Sequence, residues 1–562
     1  MTAPAPTATL AEAPTETDAL TAKRASATEA VLDKYSARVF KKRKTHVVTV
    51  DNTVETPQQI EANVRTIPGL LSHRGCCFAG CKGVVIGPIK DALTIVHGPI
   101  GCSFYTWGTR RHRAKADPEV GGGKNFVPYC FSTDMQEGDI VFGGEKKLRR
   151  AIDEAMEIFQ PETIFICSTC PVGLIGDDIA AVAAEAEAKY GITCTSFSCE
   201  GYKGVSQSAG HHIANNGLIK QVIGTGDRAP KTKYSLNILG EYNIGGDGWE
   251  IARALKRIGY EIVSVFTGDG AVDEIRNAHL AELNIVQCHR SINYRAEMMN
   301  AQYGTPWLKV NFIGISATSK SLRDIARYFA DAYGDTEIVE RTEQVIADEI
   351  ADIQEELDYY HSRLEGKKAF LYVGGSRSHH YQKLLRDFGM ATVLAGYEFA
   401  HRDDYEGRQV IPDIKIDADS KNIENLELGP VEGKYRIHFP AESYARLRDE
   451  LDTFEFYAGM MREMDNGAIV VDDLNHFETE EFMKMLKPDV FFSGIKDKFV
   501  AQKSGVLSRQ LHSYDYSGPY AGFKGAVNFG RDVSMGIYTP AWGLVTPPWK
   551  NTPVLTGTLG GE

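Results

Sequence analysis

Short apolar runs rich in β-branched and aromatic residues alternate with amphipathic stretches along most of the chain. The apolar runs are typical of buried strands, and the stretches that follow them have the periodicity of α-helices. We predict strands at 163–166, 234–239, 370–373, 468–471 and 490–492. The helices that follow are expected near 176–189, 248–258, 378–388 and 477–486. Strands that alternate with helices imply parallel sheets with right-handed crossovers.

The expected fold class is therefore α/β, with three Rossmann-like domains, mostly parallel sheets and a ligand in the cleft between them. The first residues are rich in Ala, Thr, Pro and Glu, a composition that predicts a disordered N-terminal extension at 1–45. The three domains are expected at 46–232, 233–365 and 366–562. Two smaller features are a polar, acidic helix and an irregular insertion in the third domain, at 347–365 and 406–450.

Charge and hydropathy exclude several classes of protein. The net charge is −13, which argues against a nucleic-acid partner because basic side chains supply most of that binding. No apolar stretch approaches the roughly 18 residues of a membrane helix. The first residues lack the basic start and apolar core of a secretory signal. We therefore expect a cytoplasmic protein with reduced cysteines, in which metal or cluster binding is favoured over disulfides.

The cysteines are unevenly distributed, with nine of the ten between residues 76 and 199 and Cys288 alone. Cys76, Cys102 and Cys170 stand beside glycine or proline, and small neighbours let a bulky group approach the backbone. Thiolates in such loops are the usual ligands of iron–sulfur clusters. A single cysteine is more often a small buried apolar residue. That simpler interpretation is kept for Cys77, Cys81, Cys130, Cys167, Cys194 and Cys199.

Two further features carry weaker signals. The turn at 240–248 is rich in glycine but does not have the glycine spacing of a dinucleotide-binding loop. His512 lies among Tyr, Ser and Asp residues, where a histidine is usually a hydrogen-bonded core residue and less often a metal ligand. His211 and His212 are adjacent, and adjacent side chains on a helix diverge, so at most one is expected in a given site.

Several segments together resemble the α subunits of the nitrogenase molybdenum–iron protein family. They occur in the family's order between about residues 65 and 550, and the insertion near 406–450 resembles the clostridial-type form. The matching segments are Arg74–Cys76, Lys82–Val85, Gly87–Lys90, His97–Cys102, Val141–Gly144, Cys170–Asp178, Gly204–Ser208, Gly210–Ile213, Cys288–Tyr294 and Lys496–Tyr520.

The resemblance implies an iron–molybdenum cofactor (7Fe-9S-Mo-C-homocitrate) held at both ends by the chain. Cys288 matches the thiolate on the terminal iron, and His512 matches the imidazole on molybdenum. A soft thiolate for iron and an imidazole for the other metal is sensible ligand matching. Gln207 and Lys496 match the residues near homocitrate, whose carboxylates suit a lysine.

The same resemblance assigns catalytic roles around the cofactor. His211 matches a histidine that hydrogen-bonds a sulfide of the cofactor and delivers protons, a task that suits an imidazole. Arg110 and Arg377 match arginines that balance the negative charge of the cofactor. Val84 matches the small side chain over the reactive face, where its size would limit access. The residues that flank Arg377 depart from the pattern of other members.

Cys76, Cys102 and Cys170 match the thiolates of the P-cluster, an 8Fe–7S electron relay. Three ligands are too few for so large a cluster, so the remainder is expected from a β subunit in a two-α, two-β heterotetramer. The resemblance also implies that electrons come from a separate ATP-hydrolysing iron protein, and this chain itself shows no Walker-type phosphate loop.

The resemblance thus predicts the catalytic α chain of molybdenum nitrogenase, which reduces dinitrogen to ammonia and evolves hydrogen. Two alternatives belong to the same superfamily: the α chain of a vanadium or iron-only nitrogenase, and a scaffold for cofactor assembly. An electron-transfer iron–sulfur protein is a third alternative, but it would leave Cys288 and His512 without a role.

Overall fold

The computed structural model describes residues 16–54, 58–64, 74–108, 114–115, 117–119, 121–289, 292–375, 377–407, 423–438, 458–494, 497–511 and 517–545. Over these residues the chain forms three mostly parallel sheets flanked by helices, which confirms the expected α/β class. The predicted strands and helices lie within a few residues of their expected positions. No helix in the described part of the chain is long and apolar enough to cross a membrane.

The N-terminal segment is ordered over most of its length, so the prediction of disorder is wrong for residues 16–43. It forms helices α1 (Glu16–Leu32) and α2 (Ala37–Arg43). Val31 and Leu32 are buried in a core that they share with strands near the C-terminal end of the chain. Composition suggested disorder because few residues here are apolar, but packing against distant elements stabilises the helices. Residues 1–15 lie outside the described residues.

Buried basic side chains add to this attachment. The Arg43 guanidinium donates to both carboxylate oxygens of Glu478, each at 2.7 Å, and both side chains are buried. Arg24 donates to the Gly467 carbonyl at 3.0 Å. Strand β1 (Val47–Thr49) pairs antiparallel with a strand of the third sheet. Residues 47–49 therefore belong with the C-terminal sheet and not with the predicted domain 46–232.

The first sheet is parallel, in the order β3-β2-β4-β5. Its strands are β2 (Leu93–His97), β3 (Phe131–Ser132), β4 (Thr163–Ser168) and β5 (Thr193–Phe197). A π-helix at Ala79–Ile86 precedes β2. The α-helices of this part are α3 (Ile100–Gly108), α4 (Glu137–Phe142), α5 (Glu145–Phe159), α6 (Cys170–Ile175), α7 (Ile179–Tyr190) and α8 (Gln207–Gln221).

The second sheet is also parallel, in the order β7-β6-β8-β9. Its strands are β6 (Ser235–Glu241), β7 (Glu261–Thr267), β8 (Leu283–Val286) and β9 (Trp307–Lys309). Its helices are α9 (Asp247–Ile258), α10 (Val272–Arg276), α11 (Asn293–Tyr303) and α12 (Ile315–Tyr333). The acidic helix predicted at 347–365 is α13 (Glu337–Leu364), which begins ten residues earlier than expected.

The third sheet has the order β1-β12-β11-β10-β13-β14, and only β1 is antiparallel to its neighbour. The remaining strands are β10 (Lys368–Val373), β11 (Ala391–Tyr397), β12 (Ile469–Val471), β13 (Val490–Ser493) and β14 (Leu507–Gln510). The helices are α14 (Arg377–Asp387), α15 (Arg402–Glu406), α16 (His476–Leu486), α17 (Lys498–Lys503) and α18 (Gly522–Ile537).

The described part of the insertion, residues 423–438, has no regular secondary structure and lies against the first two sheets' helices. The Glu424 carbonyl accepts hydrogen bonds from Asn216 and lies 3.2 Å from His212 Nε2, both on α8. The Leu426 amide donates to the Tyr294 hydroxyl on α11 at 2.8 Å. The insertion thus joins parts of the chain that precede it by more than a hundred residues.

Candidate functional site

The predicted cluster cysteines come together at the carboxyl edge of the first sheet, with Cys102 and Cys170 in helices that follow strands and Cys76 just before the π-helix. Cys102 follows β2 in the first turn of α3, and Cys170 follows β4 at the start of α6. The Gly201 amide donates to Cys170 Sγ at 3.2 Å. A Cβ atom on Gly201 would lie 3.2 Å from Cys170 Sγ and 3.4 Å from Cys76 Sγ. The sulfurs of Cys76 and Cys170 therefore lie close to one point, which only glycine leaves open.

Cys102 belongs to the same group of thiols, which we call the thiol trio (Cys76, Cys102 and Cys170). Partial loss of solvent raises the pKa of the Cys102 thiol, and the charges of Cys76 and Cys170 raise it further. Because like charges repel, deprotonating all three thiols costs free energy unless a positive charge, such as a metal ion, lies beside them. Cys76 and Cys102 are exposed and Cys170 is half-buried, so the trio faces the surface.

Large apolar side chains are exposed on α3 and α6, which carry Cys102 and Cys170, and on α4, which contacts α6. Phe142 is 90% exposed, Tyr105 77% and Leu174 76%. We define the apolar rim as Ile100, Phe104, Tyr105, Val141, Phe142 and Leu174, all of them exposed and carried on α3, α4 and α6. Several exposed large apolar side chains on neighbouring helices indicate a site of protein association. The rim was not predicted from the sequence, although the apolar residues 140–142 directly before two glycines were a possible signal.

The other six cysteines of this part are mostly buried, as expected for small apolar residues. The half-buried exception is Cys130, whose Sγ lies 3.2 Å from Ser103 Oγ. Three of the buried thiols were not predicted to meet, yet their sulfurs all lie within 4.8 Å of one another: Cys81, Cys167 and Cys199.

The second candidate site lies where the carboxyl edges of the second and third sheets face each other. Cys288 follows the carboxyl end of β8, and Gly375 follows that of β10. A Cβ on Gly375 would lie 3.4 Å from Cys288 Sγ, and one on Gly240 only 2.6 Å from Cys288 Cβ. The backbone φ angles of Gly240 and Gly375 are +77° and +58°, a region that favours glycine. Glycines therefore bring the end of β6 and the loop after β10 close to the half-buried Cys288 thiol.

Gln207, the first residue of α8, lies between the two candidate sites. A Cβ on Gly75, next to Cys76, would lie 2.5 Å from Gln207 Oε1. A Cβ on Gly374 would lie 3.1 Å from Gln207 Nε2 and 2.4 Å from the Phe399 ring. The amide therefore lies next to the thiol-trio segment on one side. On the other side it lies next to the residues around Cys288, which we call the Cys288 pocket (Cys288, Gly240, Gly374, Gly375 and Phe399).

His211 lies one helical turn beyond Gln207 and is 2% exposed. Its ring packs edge-on against Phe399, with centroids 5.5 Å apart. His212 diverges from it and stacks on Tyr294 at 3.9 Å. As anticipated for adjacent histidines on a helix, the two rings face different surroundings, and only His211 packs against a residue that also borders Gly375.

Helix α8 is held by a close crossing with the π-helix segment. A Cβ on Gly80 would lie 1.9 Å from the Gln207 carbonyl oxygen, and one on Gly210 would lie 1.9 Å from that of Cys77. No side chain fits at either position, so the two backbones touch. Val84 lies half-buried on the same π-helix, beside Val85, whose carbonyl accepts from the Thr267 hydroxyl at the end of β7. Val84 is thus placed near the carboxyl edge of the second sheet.

Arg377 begins α14 and lies in a buried charged group. Its Nη1 is 3.6 Å from Asp247 Oδ2, and that carboxylate is fully buried. Asp247 Oδ1 accepts from the Tyr520 and Ala521 amides at 2.7 and 3.0 Å. Burial raises the pKa of the nearby Glu241 to about 7, and the charge of Asp247 raises it whereas that of Arg377 lowers it. The interior here is shielded from water strongly enough to perturb a carboxyl group.

Arg110, Lys496 and His512 lie outside the described residues, and their predicted roles stay predictions. The segments next to two of them are described. The Leu511 amide donates to the Ser493 carbonyl at 3.0 Å, at the carboxyl ends of β14 and β13. The chain positions that precede Lys496 and His512 therefore lie side by side at the edge of the sheet that faces Cys288.

The described residues fit the metal–sulfur groups that the sequence predicted. Cys288 supplies a thiol at the base of a glycine-lined pocket, and Arg377 supplies positive charge nearby. The thiol trio supplies three sulfurs around a second glycine, Gly201. Thiolates are the standard ligands of iron in such clusters, and in both settings a glycine without a side chain lies next to the sulfur.

Comparisons with known proteins agree with this arrangement. The family described as Nitrogenase component 1 type Oxidoreductase matches residues 76–538. The nitrogenase molybdenum-iron protein alpha chain of Clostridium pasteurianum is 58% identical over 521 residues, 92% of this chain and 96% of that protein. The alpha chain of that name from Methanosarcina barkeri is 53% identical over 513 residues, 91% and 94% of the two chains. The solved structure "Nitrogenase Cp1 at pH 6.5" has a TM-score of 0.87 at 57% identity, covering 93% of this chain and 100% of its own.

Proposed function

Because the chain belongs to the nitrogenase component 1 type oxidoreductase family, we propose that it is the catalytic α chain of a molybdenum nitrogenase. The reaction would be the reduction of dinitrogen to ammonia, with evolution of hydrogen. The observation that carries the proposal is the Cys288 thiol, which lies in a glycine-lined pocket beside Gly375 and Gly240. A thiol in this setting suits one terminal ligand to a large metal–sulfur group better than a core cysteine.

Cys288 and His512 would hold the iron–molybdenum cofactor at its two ends, and Gln207 and Lys496 would contact its homocitrate. The cofactor supplies the metal sites at which dinitrogen is bound and reduced. The chain's own residues would bind it, orient it and exclude water. Arg377, and Arg110 with it, would offset the negative charge of the group, and Asp247 holds the Arg377 guanidinium in place.

Proton delivery would depend on His211. Its imidazole is buried against Phe399, and imidazole is the side chain most often used for proton transfer in enzymes. Phe399 covers one side of the ring and limits the access of water. Gln207, one turn earlier on α8, would place its amide beside the same pocket. Val84 would restrict the size of molecules that reach the pocket.

The thiol trio would hold part of a P-cluster. Three thiolates are too few for eight irons, and the exposed apolar rim around them gives a surface for the chain that completes the site. We assign that chain as the β subunit of a two-α, two-β heterotetramer. Electrons would reach the cluster from a separate ATP-hydrolysing iron protein.

The test is the His512→Ala variant of the complex, purified without oxygen from its native host together with the wild type and a His401→Ala control. His401 is a half-buried histidine at the start of α15. Molybdenum and iron per chain are measured, together with ammonia formed when the iron protein and ATP are supplied. We expect His512→Ala to lose molybdenum and ammonia formation, and His401→Ala to keep both.

Three results would contradict the proposal. An electron-relay protein would keep its function without His512. Iron with vanadium, or iron alone with high activity, in the wild type would identify an alternative nitrogenase. Iron without molybdenum and without activity in the wild type would favour an assembly scaffold.

A further inference from the structure

Three histidines outside the roles assigned above lie together beside the Cys288 pocket. His289 follows Cys288 after β8, and His379 and His380 lie in the first turn of α14, close behind Arg377. One ring nitrogen from each of the three lies within 4.8 Å of the other two. His379 and His380 are buried and His289 is half-buried. Imidazole is the commonest protein ligand for transition metals, so the cluster has the chemistry of a metal site.

The spacing of the rings fits a shared metal ion. The ring centroids are 4.6 Å apart for His379 and His380, 4.7 Å for His289 and His380, and 5.6 Å for His289 and His379. Around a tetrahedral ion with metal–nitrogen bonds of about 2.0 Å, neighbouring imidazole centres lie roughly 5 Å apart. The ring planes are also well separated in angle, by 81°, 76° and 43° in the same order, so the three rings do not stack.

Hydrogen bonds from outside the cluster orient two of the rings. The Val310 carbonyl can only accept, so His289 donates to it from Nε2 at 2.8 Å, which leaves Nδ1 as the nitrogen with a lone pair. His379 Nδ1 lies 3.0 Å from the Tyr397 hydroxyl, and Nε2 is its other ligand position. Histidine ligands of metals are usually held in this way, with the second ring nitrogen bonded to an oxygen.

His380 supplies the independent observation. It is 1% exposed, and among the described residues its Nε2 has no hydrogen-bond partner. A buried ring nitrogen without a partner costs free energy, and a metal ion would satisfy it. Burial also holds the pKa of His380 well below its ordinary value, as do the charges of the neighbouring histidines, Lys383 and Arg377. The ring is therefore neutral at pH 7, the form that binds metals.

We propose that His289, His379 and His380 form a three-histidine site for a divalent transition-metal ion of the zinc type. The ion would join the loop after β8 to the first turn of α14, and these two segments carry Cys288 and Arg377. It would therefore brace two walls of the pocket. Because no carboxylate belongs to the group and Lys383 and Arg377 are nearby, we expect weaker binding than in a site with an acidic ligand.

The experiment uses Zn²⁺ as the probe and the intact complex. The protein is dialysed against Zn²⁺ and then against metal-free buffer, and zinc per chain is measured by mass spectrometry. X-ray absorption at the zinc edge then reports the ligands of zinc alone, unaffected by iron, molybdenum or sulfide elsewhere. We expect about one zinc per chain with nitrogen ligands at about 2.0–2.1 Å and no sulfur at about 2.3 Å.

Variants test the assignment to these residues. His380→Gln and His289→Gln should each lose the bound zinc, whereas His279→Gln should retain it. His279 is a matched control because it is buried and bonded to the Arg276 carbonyl, away from the cluster. A wild type that retains no zinc, equal zinc in all variants, or sulfur ligands at the zinc edge would overturn the proposal. If a variant fails to fold, the wild-type ligand shell decides, because sulfur ligands would place the ion at thiols such as Cys81, Cys167 and Cys199.

Discussion

The thiol trio and the Cys288 pocket both present cysteine thiols, but the trio lies at the surface and the pocket is enclosed by the chain. At the trio, two of three thiols are exposed and the apolar rim around them faces solvent. At the pocket, one half-buried thiol is enclosed by glycines, Phe399 and buried charges of the same chain. The number of sulfurs is therefore a poor guide to where a site is complete within one chain. The enclosure of the sulfurs is more informative.

This difference separates the two sites by their dependence on a partner. Beside the pocket, burial and the charge of Asp247 raise the pKa of Glu241 to about 7. The trio instead lies in a surface that a second chain would have to cover before its thiolates were shielded from water. Gln207 contacts both regions, so the two sites lie on opposite sides of one side chain.

The largest effect is expected from Cys288→Ala. Without the thiolate the proposed cofactor would lose one of its two proposed protein ligands, so dinitrogen reduction should fall by at least the ~100-fold that loss of a group supporting a metal ligand can cost. Molybdenum per chain should fall with it, and iron at the thiol trio should remain. The matched control is Cys194→Ala, because Cys194 is buried on β5 in the apolar core of the first sheet and lies in neither site. Equal losses of molybdenum in both variants would show that the pocket is not the cofactor site.

Cys170→Ala tests the other side of the comparison. It should remove iron from the thiol trio and weaken the association of the two chains, while the Cys288 pocket stays intact. Iron content and the apparent mass of the complex in solution give the two readouts. Cys130→Ala, half-buried beside Ser103, is the control and should change neither. A complex that keeps its mass and its full iron content without the Cys170 thiol would contradict the shared-cluster account.

Phe142→Glu tests the apolar rim without touching any thiol. Phe142 is an exposed aromatic residue at the end of α4, and an acidic side chain there should weaken the association by about 2 kcal/mol or more. The dissociation constant of the two chains is measured beside that of Ile437→Glu, an equally exposed apolar position in the insertion. If the two variants dissociate alike, the rim is not the contact surface.

The smallest effect concerns the titration of the Glu241 carboxyl beside the Cys288 pocket. The pKa of Glu241 is raised to about 7 in the folded protein, so the folded state binds a proton more tightly than the unfolded state. The resulting stabilisation is fully present below the unfolded pKa of about 4.3 and is lost as pH rises through 7. Glu241→Gln should therefore show a smaller fall in Tm from pH 5 to pH 8 than the wild type.

Asp139 near the apolar rim gives the matching control. The Gln136 amide and Lys147 lower the pKa of this carboxyl. Its stabilising effect is therefore lost only when the pH falls below the pKa of an ordinary aspartate. Asp139→Asn should therefore leave the change in Tm between pH 5 and pH 8 as it is. The same fall in Tm for wild type and Glu241→Gln would show that the pocket does not raise the pKa of Glu241.

Sequence reasoning predicted the sheets well because buried parallel strands are nearly continuous apolar runs, such as 370–373 and 490–492. Cys76, Cys102 and Cys170 were singled out because they stand beside glycine or proline, and Cys288 because it stands apart from the other cysteines; their roles as ligands stay predictions. Sequence reasoning failed for helices α1 and α2, whose stability depends on contacts such as Arg43 with Glu478, more than four hundred residues away.

Other features were missed because they exist only in three dimensions. The sequence spacing of His289, His379 and His380 does not show that they meet. His289 follows a strand of the second sheet, whereas His379 and His380 follow a strand of the third. The apolar rim is spread over three short helices, and each one separately looks like ordinary core. Burial and exposure of single side chains, which decide both features, cannot be read from local periodicity.

Anomalous diffraction from crystals of the complex, recorded at the molybdenum and iron edges, would locate both metals directly. We expect one molybdenum in each α chain, in the Cys288 pocket and enclosed by that chain alone. We expect iron at the thiol trio, on the boundary with the second chain and bound by cysteines of both. Molybdenum elsewhere, or a cluster at the trio held entirely by this chain, would contradict the proposal.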